Sequence, residues 1–266
     1  MKKIGFIGAG NMATAIIGGI LKSGSADGEH ITVYDVMADK LDLMAREKGI
    51  QKAADAAGVV RSSDITVLAV KPQNYAEVLE SIKDEVSGNK VIVTIAAGIS
   101  TDYIAGAVGK DCPMVRVMPN TPLLLGKGAT ALSRHNISDE DFSFVYDMFA
   151  NGGEVSVLDE SKMNSVIAVN GSSPAYVYLF AKAMIDYAVK EGIAAGEAMK
   201  LVCATLRGSA DMLEKSGDTP EVLIKKVSSP GGTTLKALEK LDEKDFYNAV
   251  IEAMDACTKR AEELSK

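Results

Sequence analysis

Histidine is nearly absent from this 266-residue sequence: His30 enters a predicted strand and His135 falls in a polar turn. A histidine general base of the kind used by hydroxy-acid dehydrogenases is therefore not expected, and no nucleophilic triad or metal-ligating cluster is legible. Cysteine is scarce too. Cys112, Cys203 and Cys257 are odd in number, far apart and without CxxC pairing, which argues against a disulfide framework or a zinc site and points to a reducing, cytoplasmic compartment. Cationic clustering is missing: Lys and Arg number 29 against 36 Asp and Glu, a formal net charge of −7. Without a basic stripe, a nucleic-acid partner is not expected. No run is long and apolar enough to span a bilayer. Ile4 to Leu21 follows Lys2 and Lys3 and superficially resembles a signal peptide. Its five glycines, with Asn11 and Thr14, make it a poor membrane span, no small-x-small site follows Leu21, and a buried strand and helix explain the same residues.

What the chain does have is a normal supply of core: 47% of its residues are hydrophobic, enough for one large or two modest domains. Its most informative segment is Ile4-Gly5-Phe6-Ile7 followed by Gly8-Ala9-Gly10-Asn11-Met12-Ala13, a short apolar strand, a glycine turn and a helix start. Gly8 suits the tight turn, Gly10 puts no side chain between backbone and a pyrophosphate, and Ala13 allows close helix–strand packing. The next strand, Ile31 to Tyr34, ends at Asp35, 25 residues after Gly10. A carboxylate there can bond ribose hydroxyls and repels a 2′-phosphate, and no cation follows until Lys40, so the pattern favours NAD over NADP. A solvated turn aspartate is the plain alternative.

Apolar, β-branched runs at Ile65 to Val70, Val91 to Ile95 and Val115 to Met118 alternate with helical patterns at Ala38 to Lys48, Gln73 to Lys83 and Ser100 to Ala107. This is the signature of a parallel sheet covered on both faces. Ala129 to Leu132 and Glu154 to Leu158 flank a helix at Asp139 to Phe149 and extend the sheet. From Ser161 onward the pattern is helical only: Met163 to Val169, Pro174 to Glu191, Gly196 to Lys215, Thr219 to Val227, Thr233 to Leu241 and Lys244 to Leu264. The predicted fold class is α/β: an N-terminal Rossmann-type doubly wound sheet over residues 1–160, then an all-helical domain over 161–266. Segments such as Val166 to Val169 and Ala175 to Ala181 are apolar around most of the helix and need cover on more than one side. A homodimer through the helical domain is predicted.

At the carboxyl ends of the predicted strands lie Ala69-Val70-Lys71-Pro72-Gln73, Ala96-Ala97-Gly98 and Met118-Pro119-Asn120-Thr121-Pro122, on the edge where doubly wound sheets bind ligands. Asn120 and Thr121 offer donors and acceptors beside the place expected for a nicotinamide. Ser228-Ser229-Pro230-Gly231-Gly232-Thr233-Thr234 precedes a helix and can present free N–H groups and hydroxyls to a substrate carboxylate; a plain Ser/Thr cap is the alternative. With no strong protein acid in sight, hydride transfer to a cyclic imine is attractive, since its nitrogen can enter already protonated and the protein need only orient and desolvate.

The motifs G-F-I-G-A-G-N-M-A, A-V-K-P-Q, M-P-N-T-P, N-G-S-S-P-A-Y and S-P-G-G-T-T, in this order over nearly the whole chain, resemble the pyrroline-5-carboxylate reductase family. The resemblance implies NAD(P)H-dependent reduction of 1-pyrroline-5-carboxylate to L-proline, the last step of proline biosynthesis. It further implies that Gly8, Gly10, Asn11 and Met12 contact the cofactor phosphates, Ala69, Val70 and Lys71 the adenine-ribose side, and Ala97 and Asn120 the nicotinamide end. Ser229, Gly231, Gly232, Thr233 and Thr234 would hold the substrate carboxylate, with Thr234 also near the ring nitrogen as the catalytic candidate. Homodimers, five of them to a decamer, and a pocket completed by the partner subunit are implied as well. Two departures stand out: Asn170 and Ser173 replace the Ser and Gly of many members, and Asp35 replaces small or basic residues of NADPH-preferring ones, which makes NADH a competent donor. A 3-hydroxyacid dehydrogenase of the same plan would need a catalytic lysine, for which Lys162 is the nearest candidate without its motif. A non-catalytic NAD-sensing regulator is the remaining rival.

Overall fold

The computed structural model describes residues 1–109 and 111–265. Strands β1 (Ile4–Ile7), β2 (Ile31–Tyr34), β3 (Gln51–Lys52), β4 (Ile65–Leu68), β5 (Val91–Thr94), β6 (Met114–Met118), β7 (Gly128–His135) and β8 (Gly153–Val157) form one sheet in the order β3-β2-β1-β4-β5-β6-β7-β8. Every pairing is parallel except β6 with β7. The order reverses direction between β1 and β4, which opens the ligand crevice of a doubly wound sheet at the carboxyl ends of those strands.

Both faces are covered because successive strand residues point opposite ways. Ile4, Phe6, Ile65, Val67, Val91, Val93, Val115 and Val117 pack with helices α1 (Asn11–Ser23), α2 (Ala38–Lys48) and α6 (Asp139–Ala150) on one face. Ile7, Leu68, Ile92 and Met114 pack with α3 (Ala56–Ser62), α4 (Tyr75–Ile82) and α5 (Thr101–Val108) on the other. Helix starts in this region follow capping chemistry: Asp55, Ser100 and Ser138 accept from the N–H groups of Gly58, Tyr103 and Asp141.

Some expectations needed revision. The strand begun at Ile65 stops at Leu68, which leaves Ala69 and Val70 in the loop, and β7 runs to His135 because all five β6 residues pair with it. The two-residue β3 and the seven-residue α3 are too short to carry a readable period. The helix expected from Met163 to Val169 begins only at Ser165, after a 3₁₀ turn at Glu160–Lys162, and widens into a π-helical turn at Ile167–Gly171. The wider turn coincides with side-chain bonds from Asn170 to the backbone of the sheet.

By contacts the chain forms two compact units, residues 1–172 with 256–266, and 173–255. The second contains α7 (Ser173–Lys190), α8 (Ala195–Lys215), α9 (Pro220–Lys226), α10 (Thr233–Glu243) and the first half of α11 (Phe246–Leu264). Within it α7 and α8 pack together, and Phe180 and Phe246 rings lie 6.3 Å apart.

Candidate active site

The glycine turn after β1 is wedged among three strands. Gly8 has φ +107°, its N–H donates to Tyr34 O at 2.7 Å, and a Cβ at this position would lie 2.6 Å from Ala69 O. Only glycine meets both the dihedral and the space. Gly10 is different: it is the N-cap of α1, no side chain caps the helix, and a Cβ there would meet nothing within 4 Å. The first N–H groups of α1, beginning at Asn11 and Met12, have no acceptor within the helix and lie at the positive end of its dipole. The donor set suits a pyrophosphate.

Asp35 closes the back of this corner. Its Oδ2 accepts from the Ala9 N–H at 2.6 Å and its Oδ1 from the Met37 N–H at 2.8 Å, so the carboxylate holds the glycine turn while keeping lone pairs for further donors. Along the carboxyl edge, Ala69 and Val70 are half-buried after β4 and Lys71 is exposed. Tyr75 anchors this loop from beneath, its hydroxyl bonded to Leu68 O at 2.9 Å and to Thr94 Oγ1 at 2.8 Å, with burial holding the phenol well above its ordinary pKa. Ala97 is half-buried after β5. Its neighbour Gly98, at φ +76°, lies so close to Leu264 that an added Cβ would sit 3.1 Å from that residue's Cβ.

Asn120, expected beside a nicotinamide, is buried after β6 and tied down at both ends of its amide. Oδ1 accepts from the Ala129 N–H at 2.9 Å and Nδ2 donates to Asn170 O at 3.1 Å. Asn170 returns the tie, donating from Nδ2 to Met118 O at 2.7 Å and Ala129 O at 2.9 Å. Reading the sequence singled out Asn170 only as a departure from a pattern; nothing local signals a residue that bonds 41 and 52 positions away.

In the second unit the loop before α10 shows how the helix begins. Gly231 has φ +74°, Gly232 is the N-cap, and no side-chain hydrogen bond caps the helix, so the plain Ser/Thr cap is not what forms. The Gly232 N–H is spent inside the turn, on Ser229 O at 2.9 Å, and a Cβ on Gly232 would lie 2.9 Å from that oxygen. The open donors are therefore the first N–H groups of the helix itself, from Thr233 and Thr234 onward, with their two hydroxyls. Ser229, Gly231 and Thr233 are exposed and Thr234 half-buried.

Residues 160–264 match the family model for pyrroline-5-carboxylate reductase dimerisation, and residues 3–98 match that for NADP oxidoreductase, coenzyme F420-dependent. The pyrroline-5-carboxylate reductase of Escherichia coli strain K12 is 41% identical over the whole chain and 99% of its own length. The chain belongs to the pyrroline-5-carboxylate reductase family. Solved family structures superpose closely. A Plasmodium falciparum pyrroline carboxylate reductase with NADP bound covers the whole chain and 98% of its own, at TM-score 0.92 and 30% identity. The enzyme from Coxiella burnetii covers the whole chain and 99% of its own, at TM-score 0.90 and 32% identity.

The two histidines and the lysine weighed from the sequence lie elsewhere. His30 is occupied with Asp27 at 2.5 Å and His135 with Asp111 at 2.9 Å, both outside the corners described. Lys162 is exposed in a 3₁₀ turn. Among the described residues no cluster of His, Cys, Asp or Glu could hold a metal, and no helix is long and apolar enough to cross a membrane.

Proposed function

We propose that the chain reduces 1-pyrroline-5-carboxylate to L-proline with NAD(P)H, the closing step of proline biosynthesis. The observation that carries this reading is the uncapped amino terminus of α10: a glycine N-cap, open N–H groups and two hydroxyls at the motif most characteristic of the family. Bound NAD(P)H supplies a hydride to the carbon of the carbon–nitrogen double bond. The chain's own residues bind and orient. Gly8, Gly10, Asn11 and Met12 would hold the pyrophosphate, Asp35 the adenosine ribose, Ala69, Val70 and Lys71 the adenine-ribose side, and Ala97 and Asn120 the nicotinamide end. Ser229, Gly231, Gly232, Thr233 and Thr234 would hold the substrate carboxylate, chiefly by the N–H groups of Thr233 and Thr234, since that of Gly232 is engaged within its turn. Thr234 Oγ1 would accept from the protonated ring nitrogen, which keeps its proton throughout and becomes the secondary amine of proline.

Functionally, residues 1–160 act as the dinucleotide-binding domain and 161–266 as the dimerisation and substrate domain. The dimer forms through the helical domain; further assembly to a decamer is a property to be measured by sedimentation. Asp35 supports NADH as a competent donor, because a 2′-phosphate would lie against a carboxylate already oriented by two N–H groups. Oxidation of NADH on addition of pyrroline-5-carboxylate, followed at 340 nm, tests the activity. An inert mixture with either donor would overturn it, and a large preference for NADPH in kcat/KM would remove Asp35 as the discriminating group.

A further inference from the structure

Arg116 is the one charged residue buried among the described residues, at 4% exposure in the middle of β6. It stands on the face of the sheet it shares with Met114, the face covered by α3, α4 and α5, and the strand register sets it beside Thr94, the last residue of β5. From Thr94 the chain runs directly into Ala96-Ala97-Gly98, the segment proposed to meet the nicotinamide. A guanidinium is always charged and costly to remove from water, and replacing a buried ion pair with well-packed apolar residues is often neutral or stabilising. Stability alone therefore gives β6 little reason to hold an arginine here.

The partners of Arg116 supply a different reason. Nη1 donates to Glu160 Oε1 at 3.0 Å and Nη2 to Asn164 Oδ1 at 2.6 Å. Each partner passes the hold to a different side of the same loop. Glu160 Oε1 also accepts from the Thr101 N–H at 3.3 Å, which fixes the start of α5 just beyond Gly98. Asn164 Nδ2 donates to Ser265 Oγ at 2.9 Å, and Ser265 directly follows Leu264, the last residue of α11. Gly98 is seated against Leu264: a Cβ on Gly98 would lie 3.1 Å from Leu264 Cβ and 3.2 Å from its carbonyl oxygen. The loop is thus held beyond its far end by Glu160 and on its flank by Leu264, with one guanidinium behind both. All of these residues belong to the first compact unit.

We infer that Arg116 is a positioning residue for the reduction: by fixing Glu160 and Asn164 in one fork, it sets the Ala97–Gly98 backbone in place against the nicotinamide end of the bound cofactor. The inference rests on the proposed placement of Ala97 and adds to it the group that holds that segment. Lysine does not substitute for it, because an ammonium is a point charge without the rigid fork that keeps Glu160 and Asn164 at a fixed separation.

Calorimetric titration with NADH and with ADP-ribose, which lacks the nicotinamide, separates this role from general support of the fold; the 2′-phosphate forms of both serve if NADPH is the donor. In Arg116→Lys, which leaves no lone carboxylate beside the sheet, the dinucleotide is expected to bind about tenfold more weakly, while ADP-ribose stays within about twofold of its affinity for the unaltered protein. Ser265→Ala deletes one half-buried hydroxyl and leaves the Arg116–Glu160 pair intact, so it keeps the fold whatever becomes of the lysine variant. The same selective loss is expected there at about threefold. Unchanged dinucleotide affinity in the folded variants would overturn the inference. Equal weakening of the two ligands would overturn it as well, being the mark of a residue that merely supports the fold. Selective loss in a protein that does not turn over pyrroline-5-carboxylate would sustain Arg116 and remove the proposed substrate. Failure of the unaltered protein to bind either dinucleotide would remove the cofactor reading and this inference together.

Discussion

In residues 1–172 every strand from β4 to β6 is buried on both faces and the helices close two apolar clusters, whereas in residues 173–255 the only buried apolar residues are Ala198 and Val202. Leu179, Leu201, Ile224, Phe180 and Phe246 stand open there, each at least 44% exposed, and α7 buries nothing along its whole length. The open face includes a cavity of about 520 Å³ lined by Phe180, Leu206, Phe246, Val250 and neighbouring apolar residues. The two regions carry comparable hydrophobic sequence and differ in whether one chain can cover it. A sheet covers its own faces with the helices that connect its strands, while five helices of this length have too few neighbours to do so. The second region leaves its apolar faces for a partner, and it lies within the stretch that matches a dimerisation model.

The contrast can be broken most severely in the first region. Gly8→Val places a side chain where Ala69 O already stands and forces a dihedral that valine does not adopt, so destabilisation of about 3 kcal/mol or more is expected, read as loss of the cooperative melt or of soluble protein. In the second region the corresponding break is intermolecular. Phe180→Asp should leave the monomer's helical circular dichroism in place while weakening dimerisation at least about thirtyfold, the size of a 2 kcal/mol interface hot spot, measured by sedimentation equilibrium. An undiminished dimer would show that the open apolar face is not the interface.

A third substitution sharpens the comparison by separating function from folding. Thr234→Ala is expected to lower kcat/KM about tenfold to a hundredfold, the loss of one hydrogen bond to a charged group, with little change in melting temperature because the residue is only half-buried and caps no helix. Normal kinetics would take Thr234 out of the site. The smallest effect belongs to a rim contact of the first region, the ion pair of Lys2 with Asp141. The Lys2 ammonium lowers the Asp141 pKa and is itself raised. Asp141 therefore contributes stability that is present above the ordinary aspartate value of 3.8 and is lost as pH falls through its lowered pKa. Lys2→Ala should cost less than about 1 kcal/mol at neutral pH, and the difference from the unaltered protein should vanish in acid, as read from urea unfolding at a series of pH values.

How far these regions were legible from sequence follows from what holds each element. Helix α2 runs from Ala38 to Lys48 as its apolar spacing indicates, because periodicity and the stop at Gly49 are local signals. The glycine corner was equally readable, since a strand, a turn and a helix start are consecutive in the chain. Asp35 was readable as an acidic strand end but not as the brace of the Ala9 N–H, a bond made across the turn. The segment from Met163 to Val169 looks like an ordinary helix but begins only at Ser165 and then widens, where bonds run from Asn170 to β6 and β7. Similarly, the SPGGTT loop announced a helix start, while the engagement of the Gly232 N–H with Ser229 O emerged only from the turn's geometry.

Local chemistry in the chain itself was enough to determine the longer strands and helices, the α/β class and the glycine corner after the first strand. These rest on neighbours a few residues apart, whose periodicity and turn preferences act before any long-range contact forms. Only the tertiary structure decided which amide groups are spent on the scaffold and which apolar faces one chain leaves uncovered. Hydrogen-bond satisfaction and burial are properties of groups brought together from distant parts of the sequence, and no window along the chain contains both partners.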